Sequence, residues 1–226
     1  MPRRPGKSRA YSEKGVINVR RSKSRWRAGL LGIAMVAALS GLGVTTATPA
    51  AATAVFQDGF ENPVATVGSF DAFFAGQQMG VWTVTRDDVH LIGAGFWQSS
   101  EGVQSLDLDG GLNGAIKTSI NITPLISYKV SYDLAGNPAS GPTIKTGKVL
   151  VNGNVAQSFS FDITGKSFSN MGYVHKSFLI LLTTSTKLNL EFSSTTNPTG
   201  FGPVLDNVRV ESCLLVLCHG QPALRL

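Results

Sequence analysis

Apolar and polar residues alternate through most of the chain beyond residue 54. In SYKVSYDLAG, Tyr128, Val130, Tyr132 and Leu134 share one face; in SFSFDI, Phe159, Phe161 and Ile163 do; in TKLNLEF, Leu188, Leu190 and Phe192 do. A period of two marks a half-buried strand, because successive side chains of an extended backbone point to opposite faces. Breakers cut these runs at short intervals: Gly110-Gly111, Gly136-Asn137-Pro138, Asn152-Gly153 and Gly165-Lys166. The Asn-Gly pair in KVLVNGNVAQSF stands between two apolar runs and predicts a tight hairpin. The pattern predicts strands over 55–60, 70–75, 81–86, 88–93, 103–108, 114–120, 127–135, 145–151, 154–163, 173–182, 185–193 and 203–210. Many short strands without helical crossovers define an all-β fold, an antiparallel two-sheet sandwich or barrel.

The start of the chain follows a different pattern. RRSKSRWR (20–27) is a basic run, AGLLGIAMVAALSGLGV (28–44) is apolar, and Ala52-Thr53-Ala54 offers small residues for cleavage. This order predicts an export signal, with residues 1–54 removed between Ala54 and Val55. An uncleaved anchor is the competing reading. The apolar run, with its four glycines and Ser40, is marginal for a hydrocarbon core of ~30 Å. Removal changes the charge picture. Residues 1–54 hold ten of the twenty Lys and Arg and one of the fourteen acids, so 55–226 carries a formal net charge of −3. The basic character that suggests nucleic acid or anionic lipid leaves with the signal. The two cysteines, Cys213 and Cys218, sit in the last fourteen residues, where an oxidising exterior would let them close a small loop. The expected organisation is signal (1–54), one β-domain (55–211) and a short tail (212–226), secreted and with no sorting motif or spanning segment in the tail.

Seven strings occur in one order: DGFENP (58–63), VWTVT (81–85), VHLIGAGFWQ (89–98), GVQSLDLDG (102–110), YDLAGNP (132–138), GKSFSNMGY (165–173) and FGPVLDNVRV (201–210). Together they resemble the choice-of-anchor C / DUF642 family of secreted proteins. The resemblance implies a galactose-binding-like jelly-roll β-sandwich related to carbohydrate-binding modules. Relatives of this kind are extracellular or wall-associated, which implies a polysaccharide or cell-wall glycan as partner.

In a jelly roll the first and last strands commonly pair, and related sandwiches often hold a structural Ca²⁺ there. Asp58, Glu61 and Asp206 are the candidate carboxylate ligands, with Gly59 allowing close approach of carbonyls. The competing reading is that these residues only shape turns. The acids of SLDLDGG (105–111) fail the EF-hand pattern and read as solvated turn residues. For a sugar, which needs a flat apolar platform and directional polar groups, the candidates are Phe96, Trp97 and Tyr173 with Gln98, Asn137, Asn170 and His175. The bland alternative is that the aromatics pack in the core and the asparagines set turns. Trp82 is expected in the core.

Catalysis finds little support. There is no G-x-S-x-G elbow. TGKS (164–167) lacks the first glycine of a phosphate loop, and His90, His175 and His219 have no metal-ligand spacing. His90 reads as a residue on the outer face of a strand. The sequence therefore predicts a secreted non-catalytic glycan-binding module, with a protein-binding adhesive domain as the second reading and a weak glycan hydrolase as the third.

Overall fold

The computed structural model describes residues 52–197, 200–213 and 224–225. Among them the strands are β1 (Thr53–Asp58), β2 (Phe70–Phe74), β3 (Gln78–Met79), β4 (Trp82–Arg86), β5 (Asp88–Ile92), β6 (Ser105–Asp107), β7 (Ala115–Asn121), β8 (Ser127–Gly136), β9 (Ile144–Val151), β10 (Asn154–Asp162), β11 (Val174–Leu181), β12 (Lys187–Ser194), β13 (Pro203–Cys213) and β14 (Leu224–Arg225). The described residues contain no helix. Every strand expected from alternation is present. The additions, β3 and β14, are two residues each, too short to leave a period. The export segment up to residue 51 and Cys218 lie outside the described residues; Cys213 is disulfide-bonded.

The strands form two sheets. One runs β14-β11-β8-β13-β6-β5-β2, with β1 also on β13; the other runs β10-β9-β12-β7-β4-β3. Pairing is antiparallel except where β14 lies parallel to β11 at Ile180 and Leu181. The chain is thus an all-β jelly-roll sandwich. Its inner faces bury Trp82, Tyr132, Phe192, Leu190, Val130 and Leu134, each at 0% exposure. Trp82 is in the core as expected, with Phe56, Phe60 and Phe192 around it at centroid distances of 5.7, 5.8 and 6.0 Å. Full burial of such a side chain contributes about 2–3 kcal/mol. The Asn152-Gly153 hairpin between β9 and β10 has positive φ at both residues, 50° and 84°, as a two-residue turn with the right twist demands.

In the first sheet β13 changes partner along its length. It pairs with β8 on one side. On the other it pairs first with β6 at Val204 and Leu205, then with β1 from Val208 to Ser212. The handover falls at a bulge between Asp206 and Arg209, where Asn207 takes φ 50°. β1 and β13 are therefore side by side, and the amides of Ser100 and Glu101 reach Asp206 at the handover.

Candidate functional site

The acidic turns at the two ends of the domain meet the loop 99–104. Asp206, fully buried, accepts hydrogen bonds from the amides of Ser100 (2.7 Å) and Glu101 (2.9 Å) on Oδ2 and from Asn207 (2.7 Å) on Oδ1. Glu61 Oε1 accepts from the amides of Val103 (2.8 Å) and Gln104 (2.9 Å). Asp58 accepts from the Trp82 indole and the Phe60 amide. Burial pushes the Asp206 carboxyl up to about 6 against the pull of its amide donors. A hard cation needs oxygen ligands, whereas these carboxylates face N–H donors. At Gly59 the missing Cβ makes room for the Glu101 carboxylate, since a Cβ there would lie 2.2 Å from Glu101 Oε2. As arranged, Asp58, Glu61 and Asp206 each accept hydrogen bonds from N–H groups of the chain itself. Among the described residues no three acidic, histidine or cysteine side chains converge to hold a metal ion. Their arrangement is that of two clamps on one loop.

A different place gathers ligand-type chemistry. A cleft of about 340 Å³ at the β2–β5–β6 side of the first sheet is lined by Phe70, His90, Phe96, Phe168, Asp107 and Asn137, among others. Its rings form a continuous chain. Phe70 from β2 stacks on His90 from β5 at 4.1 Å and 20°. Phe70 meets Phe96 edge-on at 6.1 Å, and Phe96 meets Phe168 at 5.3 Å and Trp97 at 5.4 Å. Phe70 and Phe168 keep 41% and 40% of their surface exposed, so ring faces remain available to a ligand. Trp97 is only 7% exposed and donates its indole N–H to Ser105 Oγ at 2.7 Å. It backs the wall more than it forms it.

The floor of the cleft is polar and buried. Asp107, 1% exposed, accepts on Oδ1 from the amides of Asp109 (3.0 Å) and Gly202 (3.1 Å), and on Oδ2 from Asn137 Nδ2 (2.7 Å). Desolvation raises its carboxyl to about 7 despite those donors. Asp109 behind it is fully buried, with Ser194, the Gly114 amide and Asn113 nearby as donors of poor geometry, and desolvation raises it to about 6 against their pull. Lys145, also fully buried, donates to the carbonyls of Ser140 (2.7 Å) and Phe201 (2.8 Å). Burial lowers the Lys145 ammonium, partly offset by the charges of Asp107 and Asp109. The expectation of solvated turn acids at 105–111 is overturned here. β6 lies between β13 and β5, so a residue that reads as turn-like is in the middle of a sheet. His90 keeps its outward position, but it is half-buried against Phe70, and desolvation lowers its imidazole pKa despite Asp88.

Of the sugar candidates from sequence, Phe96, Trp97 and Asn137 come together in this cleft, while Gln98, Asn170, Tyr173 and His175 are not among its lining residues. Gln98 ties down the segment that carries Phe168: its amide donates to Phe168 O (2.8 Å), and its Oε1 accepts from Met171 N (3.0 Å). Asn170 closes a turn with Ser167. Tyr173 packs on the core with its hydroxyl buried toward Ser105. His175 is paired with Asp133 through Nδ1 at 2.8 Å. Asp133 also accepts from Ser100 Oγ and Asn207 Nδ2, and these donors outweigh desolvation, the largest single effect, to keep its carboxyl low. Phe70 and Phe168 are residues that sequence reasoning passed over, while His90 and Asp107 were read as an outer-face strand residue and a turn acid. Phe168 does lie within GKSFSNMGY, one of the strings of the resemblance.

The model of the family described as protein of unknown function DUF642 matches residues 55–211, and the chain belongs to that family. Among curated proteins nothing matches the sequence significantly. Solved structures with a similar fold include a family 35 carbohydrate-binding module from Clostridium thermocellum, at 16% identity and TM-score 0.39, covering 62% of this chain and 97% of that one. The first family 22 xylan-binding domain of Xyn10C from Paenibacillus barcinonensis gives 16% and 0.42, covering 72% and 96%. A family 35 module of Cellvibrio japonicus Abf62 gives 15% and 0.42, covering 62% and 92%.

Proposed function

We propose that the β-sandwich is a secreted, non-catalytic module that binds a polysaccharide at a cell surface or in a matrix. The observation that carries this reading is the cleft in which exposed rings of Phe70 and Phe168 share walls with Phe96 above the Asp107–Asn137 pair. A sugar offers an apolar C–H face and an array of hydroxyls. It is held by stacking on rings and by a small number of fixed donors and acceptors. Both are present, and the polar pair is positioned by buried hydrogen bonds, which favours binding by limiting what must be ordered.

A wider furrow, about 610 Å³, is lined by Val55, Phe56, Val81, Thr83, Lys117 and Asn121. Its one lining ring, Phe56, is turned edge-on to Trp82 and gives no platform. Size alone does not make it the better site.

The test is retention of the protein on insoluble polysaccharides, with and without the pair Phe70→Ala and Phe168→Ala. The reading predicts retention of the native protein and its loss in the double variant, with the far-ultraviolet circular dichroism unchanged. Retention that survives both substitutions would overturn it, and reducing sugar released by the native protein would replace it with a hydrolase.

A further inference from the structure

The floor of the cleft has a defined hydrogen-bonding capacity, and that capacity selects among sugars. A carboxylate offers about four acceptor positions. In Asp107, Oδ1 uses two on the amides of Asp109 and Gly202, and Oδ2 uses one on Asn137 Nδ2. One acceptor position remains on Oδ2. Asn137 is equally constrained: its Oδ1 accepts from the Ala139 amide (3.0 Å), and one of its two N–H bonds goes to Asp107. One N–H remains. The pair thus presents one acceptor beside one donor, the complement of two neighbouring hydroxyls.

The charge environment points the same way. Among the described residues that line the cleft there is no lysine or arginine. Lys145 lies behind the wall, with its ammonium directed to the Ser140 and Phe201 carbonyls. His90 is held toward its neutral form by burial, and Asp88 stands 3.8 Å from its Nε2. Asp107 and Asp109 are both carboxylates. Above about pH 7, where Asp107 and Asp109 are ionised, a sugar carboxylate brought here would meet like charge in a poorly hydrated place and would have no proton to give to Asp107.

Building on the reading of this cleft as the sugar site, we infer that it takes an uncharged sugar through a vicinal hydroxyl pair and rejects uronic acids. The apolar face of that sugar lies on Phe70 and Phe168, and the two hydroxyls bridge Asp107 Oδ2 and Asn137 Nδ2.

The experiment is affinity electrophoresis of the protein at about pH 8, where Asp107 is ionised, in β-1,4-galactan, glucomannan and β-1,3-glucan, each paired with the same polymer oxidised at its primary hydroxyls to the uronate. The expected result is retardation by a neutral member, at least about tenfold weaker with its oxidised form. Asp107→Asn should narrow that gap by admitting the uronate, in protein whose thermal melt remains cooperative. Phe70→Ala should weaken both members. A uronate bound as tightly as its neutral partner, and lost in Phe70→Ala, overturns the selection against charge but leaves the cleft as the site. Binding by neither member of any pair, or binding indifferent to Phe70→Ala, overturns both.

Discussion

The Phe70 ring lies nearly flat against the His90 imidazole, 4.1 Å between centroids and 20° between planes. The two come from adjacent antiparallel strands, where Ala72 is opposite His90 and Phe70 opposite Ile92, so the stack is a diagonal cross-strand contact. It fixes one wall of the cleft while leaving the other face of Phe70 to solvent. Phe70→Ala should therefore cost modest stability, about 1 kcal/mol, and much more in binding. A loss of affinity of about tenfold or greater is expected by calorimetric titration.

Gln98 should act on binding without touching the ligand. It anchors the backbone on both sides of Ser169 through Phe168 O and Met171 N. Gln98→Ala removes the side-chain bond and should weaken sugar binding about threefold to tenfold. Gln98→Glu keeps the acceptor and should restore most of the affinity. Equal losses in both would show that the side-chain oxygen does not position Phe168.

The Asp206 clamp gives a stability prediction. Asp206→Ala leaves the amides of Ser100, Glu101 and Asn207 without their acceptor in a buried place, at a cost of about 3 kcal/mol. For a domain of this size that is a fall in Tm of about 6–12 °C. Because the clamp oxygens face N–H groups, the Tm of the native protein should be the same in EDTA and in Ca²⁺. A fall in EDTA that Ca²⁺ reverses would show that the carboxylates rearrange around a cation.

Stability should also depend on pH with an unusual sign. Asp107 is raised to about 7, and Asp109 and Asp206 to about 6, from an ordinary value of 3.8. Between 3.8 and these values the folded protein holds more protons than the unfolded chain, so stability falls as pH rises. The contribution is fully present below about pH 4 and gone above about pH 7. His90 opposes it with a lowered imidazole, whereas the lowered Asp133 carboxyl acts only below its ordinary value of 3.8, outside this window. Thermal melts from about pH 4.5 to 8 should show the decline, and Asp107→Asn with Asp109→Asn should flatten it. A double variant with an unchanged slope would assign the pH dependence elsewhere.

The fold was legible because its strands are half-buried. Tyr128, Val130, Tyr132 and Leu134 write the inner face of β8 directly into the sequence, and Asn152-Gly153 marks its hairpin. The side-by-side pairing of the first strand with 203–210 was expected and is present in β1 and β13, whereas the hydrogen bonds of Asp206 to the Ser100 and Glu101 amides had no local sign in the sequence. The cleft was legible only in part. Phe70, Phe96 and Phe168 lie on three separate segments, and no local pattern says that their rings touch. Asp107 has the composition of a solvated turn, and its burial results from β6 being inserted between β13 and β5. Trp97 has the look of a platform, yet Ser105 satisfies its indole and lets it sink into the wall. Tyr173 and His175 were drawn to other partners, the core and Asp133.

The most direct measurement is a ¹⁵N NMR titration of the protein with an oligomer of whichever neutral polysaccharide retains it. The account predicts shifts in the amides of 90–97, 107–111, Asn137, Ala139 and Phe168 and in the Trp97 indole N–H, with 81–83 and 117–121 unmoved. Shifts confined to 81–83 and 117–121 would place the ligand in the furrow lined by Phe56 and Lys117 and contradict it.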